Sequence, residues 1–77
     1  MKVRAKFKVT RTEHYEGGMS AVSLTPVTSG SEENKQFFKA TPSGEIVLRT
    51  VNEHAAEQFT PGAEFYVDFT PALEEAP

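Results

Sequence analysis

Cysteine is missing from the chain. That excludes a disulfide framework, a cysteine-based zinc site and any thiol chemistry. Long apolar runs are missing too, since nothing approaches the roughly 20 residues that a bilayer-spanning helix needs. The basic N-terminus leads into alternation rather than into an apolar secretory segment. A cytoplasmic chain with no membrane contact is expected.

Catalytic signatures are equally scarce. There is no Walker motif, no GxGxxG and no nucleophile elbow. Serine and threonine are plentiful, but no Ser-His-Asp context surrounds them. His14 stands with Glu13 and Glu16, and His54 with Glu53 and Glu57; neither group has a recognised metal spacing. A protein that is not an enzyme, with no cofactor and no metal, is expected.

Positive charge is in short supply and unevenly spread. Eight Lys and Arg stand against eleven Asp and Glu, for a net charge of −3. From Glu53 onward there are six acidic residues and no Lys or Arg, which disfavours nonspecific attraction to nucleic acid. Five of the eight basic residues fall within the first eleven positions. Lys2, Arg4, Lys6 and Lys8 alternate there with Val3, Ala5, Phe7 and Val9. Strict alternation is the pattern of a half-buried strand, so the four charges share one solvent face.

At 77 residues the chain is one small domain, near the lower limit at which a core holds without staples. Residues 2–12 read as the first strand, and Gly17-Gly18 favours a turn into a second strand over residues 19–27. Residues 28–34 read as a mobile polar loop. Lys35 to Thr41 reads as a third strand, joined through Pro42-Ser43-Gly44 to a fourth at Glu45–Thr50. Asn52 is a plausible N-cap for a short helix over Glu53–Gln58, and Ala63–Thr70 alternates as a last strand. The domain is placed at residues 1–70, with 71–77 a flexible tail. The expected fold is all-β: a small five-stranded barrel with one short helix before the last strand. That order favours an SH3-like plan, with an OB-like plan as the alternative.

Two readings of the basic stripe follow. In an SH3-like closure the first and last strands pair antiparallel, setting Glu64 and Asp68 among the four cations. Such a ladder fixes register and solubility, at roughly 0.2–1 kcal/mol per pair. Alternatively the stripe is a rail for single-stranded nucleic acid, with charges roughly 7 Å apart along the strand. The third strand carries the better candidate surface: Lys35, Phe37 and Lys39 on one face, an aromatic between two cations, with Val47 and Arg49 nearby. Such an aromatic either stacks on a base or packs in a protein contact. Tyr66 and the loop bearing His14 and Tyr15 complete the candidate binding residues. The alternative nucleic-acid set is Lys2, Arg4, Lys6, Lys8 and Arg49 with the third-strand residues.

A further pattern runs from Phe38-Lys39-Ala40-Thr41-Pro42-Ser43-Gly44 through Asn52 and Ala55-Ala56 to Phe59-Thr60-Pro61-Gly62-Ala63-Glu64-Phe65-Tyr66-Val67-Asp68-Phe69-Thr70-Pro71-Ala72. With the basic strand, Gly17-Gly18 and Val22-Ser23-Leu24-Thr25-Pro26-Val27, it resembles short uncharacterised proteins of tailed bacteriophages and prophages. The resemblance covers most of residues 1–72 and brings no catalytic residues. It implies a phage genome and a place in the cytoplasm of the infected host bacterium or in the virion. The resulting expectation is a small phage accessory protein, a non-catalytic module that binds another protein or itself. The alternative is a single-stranded nucleic-acid-binding protein of phage replication.

Overall fold

The computed structural model describes residues 3–73. Lys2 and residues 74–77 of the expected tail lie outside them. The alternating N-terminal segment forms β1 (Val3–His14), twelve residues long, with Ala5, Phe7 and Val9 buried. Its register against the next strand steps between Val9 and Arg11. Thr10 is the extra residue of this bulge, and its hydroxyl donates to the Ser23 carbonyl at 3.1 Å. A one-residue insertion reverses which side chains face inward. Odd-numbered residues face the core before the bulge. After it, Thr12 and His14 lie opposite the inward-facing Val22 and Ser20.

β2 (Ser20–Pro26) returns through a five-residue turn closed by the Tyr15 N–H donating to the Met19 carbonyl, at 2.8 Å. Gly17 and Gly18 sit there at φ of 87° and 81°, conformations that cost a side-chain-bearing residue about 1–2 kcal/mol. β3 (Ile46–Thr50) and β4 (Glu64–Phe69) complete one antiparallel sheet in the order β3-β2-β1-β4. The expected pairing of first and last strands is present: Arg4 lies opposite Asp68, Lys6 opposite Tyr66 and Lys8 opposite Glu64.

The expected third strand is a helix, α1 (Glu32–Ala40). Ser31 caps it, its hydroxyl accepting the Asn34 N–H at 3.0 Å. Glu32 and Glu33 occupy the first turn and Lys39 the last, each charge complementing the helix dipole. Glu, Lys, Gln and Ala are helix formers, and only the Phe37-Phe38 pair speaks for a strand. The helix also begins inside residues 28–34, which were expected to be loop throughout. Four strands rather than five therefore appear among the described residues, and the sheet curls into a half-barrel without closing. The principal extents are 41 × 40 × 18 Å.

α2 (Glu53–Glu57) falls where a short helix was expected, directly before the last strand, and the Asn52 side chain accepts the Ala55 N–H at 3.2 Å. The concave face of the sheet holds the core of Ala5, Phe7, Val9, Val22 and Leu24. Ile46, Phe59, Ala63, Phe65 and Val67 pack around it while staying partly exposed. The core is small, and one flank of it is open.

Candidate functional site

On the convex face, α1 is fastened to the basic stripe. Lys6 Nζ donates to Glu33 Oε1 at 2.7 Å and lies 3.4 Å from Glu64 Oε1. The Tyr66 hydroxyl donates to the same Glu33 carboxylate, at 2.8 and 3.0 Å. Asn34, almost fully buried, donates through Nδ2 to the Ser29 carbonyl and to Glu64 Oε2. Lys6 and Tyr66 hold the Glu33 carboxyl below its ordinary value, with the Lys6 hydrogen bond the larger cause and the Tyr66 bond the next. In turn the hydrogen bond to Glu33 raises both Lys6 and Tyr66.

One residue pair further along, Arg4 grips Asp68 with two hydrogen bonds of 2.7 and 3.0 Å. This raises Arg4, through the hydrogen bond first and the charge second. Its guanidinium also lies 4.9 Å from the centre of the Tyr66 ring, and Lys6 Nζ lies 5.5 Å from it. Two cations of the stripe are thus engaged by three carboxylates and one aromatic face. The ladder reading accounts for Arg4 and Lys6. Lys8 and Arg49 make no ion pair among the described residues.

The Lys35, Phe37 and Lys39 constellation is corrected by the helix. Residues two apart share a strand face but lie about 200° apart around a helix. Lys35 and Lys39 stay near one another on the exposed side, where Lys35 pairs loosely with Glu32 at 3.8 Å. Phe37 turns the other way and packs on Tyr66, ring centres 6.0 Å apart. Phe37 and Tyr66 are brought together, therefore, but as the packing that seats α1. The aromatic flanked by cations does not form.

His14 and Tyr15 separate at the hairpin. The bulge aims His14 into a cavity of about 430 Å3 on the concave side, walled by Ser20, Met19 and Phe59 and by Glu53 and Glu57 of α2. His14 Nδ1 lies 2.9 Å from Ser20 Oγ. Tyr15 also lines the cavity, and its hydroxyl donates to Glu13 at 2.9 Å, raising the phenol. Among the described residues no group of three or more His, Cys, Asp or Glu is placed to hold a metal.

The feature with most chemical consequence lies between the outer strands. A second cavity of about 360 Å3 runs along the open flank, lined by Leu24, Ile46, Leu48, Phe59, Phe65 and Val67. Leu48 is 44% exposed, and Phe69 at the end of the same wall is 54% exposed. β3 and β4 each pair on one side only among the described residues, so each offers backbone donors and acceptors beside this apolar surface. Of this strand only Val47 and Arg49 were expected to contribute to a site; the groove is instead lined by their neighbours Ile46 and Leu48, which face the core side with Leu24 and Val22. Among the described residues no further strand lies beside β3 to cover them.

Comparison with protein-family models, with curated proteins and with solved structures finds no match. No helix among the described residues is long and apolar enough to cross a membrane.

Proposed function

We propose that this chain is a non-catalytic binding module that engages a protein surface through the open side of its half-barrel. The observation that carries the reading is the pair of strand edges, β3 and β4, that are unpaired among the described residues and border an apolar groove. Unpaired edges favour the addition of a strand, and apolar side chains exposed beside them gain from being covered. The short helix before β4 and the pairing of first and last strands are features of an SH3-like plan. In this reading the plan is completed by strand edges from outside the chain. The resemblance to phage and prophage proteins gives the setting, an accessory protein acting in an infected bacterium.

The test uses Leu48→Lys, which places a charge in the groove at a position the isolated fold leaves half open. Wild-type and variant protein are compared as baits in a bacterial lysate and by sedimentation. Association of the wild type, with itself or with a retained protein, that the variant loses supports the reading. A wild type that stays monomeric and retains nothing would refute it.

A further inference from the structure

We infer that the occupant of the open side is a second copy of this chain, joined β3 edge to β4 edge at two identical seams. The inference rests on the binding reading above and names its partner. Strand direction is the first argument. Every neighbouring pair in the order β3-β2-β1-β4 is antiparallel, so with four strands the two outer ones run in opposite directions. A two-fold axis along the barrel preserves direction. β4 of one copy therefore meets β3 of the other antiparallel, at both seams. Because each copy is already curled, this head-to-tail contact closes at two copies instead of growing into a filament.

The faces match as well. Ile46 and Leu48 lie on the concave side with their register partners Leu24 and Val22, and Phe65 and Val67 do so with Phe7 and Ala5. A register that sets Arg49 across from Glu64 of the second copy also sets Leu48 against Phe65, Ile46 against Val67 and Val47 against Tyr66. Apolar then meets apolar inside, and outside a cation without an ion pair among the described residues meets a partly exposed carboxylate. Cross-strand pairs of these kinds are the favourable ones.

Sedimentation equilibrium over a wide concentration range is expected to give a species of twice 8.5 kDa. Leu48→Lys is expected to weaken the dimer at least about tenfold, since it buries an unpaired charge at the seam. The absence of native cysteine makes engineered thiols unambiguous. Arg49→Cys and Glu64→Cys chains, mixed and oxidised, should give a disulfide-linked heterodimer in far higher yield than either gives alone. A monomer at every concentration overturns the inference, and so does a dimer that Leu48→Lys leaves intact or that links equally well within each single variant. If the monomer nonetheless retains a foreign protein that Leu48→Lys releases, the second copy is refuted while the binding reading stands. If it retains nothing, both fall.

Discussion

Leu24→Ala is the sharpest probe of where the core ends. Leu24 is 2% exposed and sits mid-sheet, opposite Val9 on one side and Ile46 on the other. Truncating a buried leucine costs about 2–5 kcal/mol, the spread reflecting how far the site can collapse. Here one wall of the void is the open groove, so neighbours and solvent can refill it. The expected cost is at the low end, about 2–3 kcal/mol. A domain of this size holds about 4–12 kcal/mol in all, and each kcal/mol shifts its melting point by about 4–8 °C. The variant should therefore melt about 10–20 °C lower by far-UV circular dichroism, with its urea midpoint displaced and its slope unchanged. The control is Leu48→Ala on the same concave face, where 44% exposure leaves about 1 kcal/mol or less to lose in dilute protein. At high concentration the Leu48→Ala deficit should grow, because a second copy then covers the residue. Equal costs for the two substitutions in dilute protein would refute the division into closed core and open flank.

Four other expectations concern the convex face. Glu33 is held below its ordinary value of about 4.5 by Lys6 and Tyr66, so its stabilising contribution is present above that value and is lost as pH falls through the lowered one. Acid titration followed through Tyr66 should show α1 loosening in that window, and Glu33→Gln should abolish the step. At the alkaline end Lys6 and Tyr66 are both raised. Their contributions are complete below about 10 and disappear as pH rises through the raised values. Ser31→Ala removes the α1 cap and should cost about 1 kcal/mol, read as faster amide exchange over residues 32–40 than over the sheet. Labelled single-stranded oligonucleotide at low salt should show no saturable binding to micromolar protein, since carboxylates already engage Arg4 and Lys6. Tight binding with a steep salt dependence would show that this pairing yields to phosphate.

The strands were legible where one face of the sheet is apolar and the other charged. Alternation located β1 and β4, and the facing Glu64 and Asp68 foretold how they pair. Asn52 marked α2 through its capping side chain. The same logic applied at Ser31, followed by Glu32 and Glu33, yet adjacent Phe37 and Phe38 drew the segment toward a strand. A helix-start signal of side-chain oxygen plus acidic first turn outranked two aromatics of modest preference. The bulge at Thr10 had no signature, because an inserted residue leaves composition and local alternation almost unchanged. Its effect, aiming His14 at a cavity and Arg11 away from it, emerges only from the register. The groove was hidden for a related reason. Ile46, Leu48 and Phe69 are apolar residues of short strands, and whether such a residue is covered depends on a strand count that the helix at Glu32–Ala40 changes.

Binding through open edges carries the hazard of unlimited sheet growth, and the molecule limits it by length. β3 has five residues and β4 six. Pro61 precedes β4 and Pro71 follows it closely, and proline, lacking an N–H, cannot extend a ladder. An added strand thus finds only a few backbone partners before the edge ends. Charge restricts the choice further: β4 shows Glu64 and Asp68 outward, so an edge with carboxylates directly opposite them is disfavoured, whereas one carrying Arg49 is not. Centring a β4–β4 pair on Tyr66 would set Glu64 against Asp68 of the other copy. A β3–β4 seam avoids that clash. Glu64→Arg should therefore weaken the seam by setting like charges at Arg49, and adding Arg49→Glu should restore it. Recovery of the dimer in that double variant, beyond what either single change allows, is the outcome the β3–β4 pairing requires.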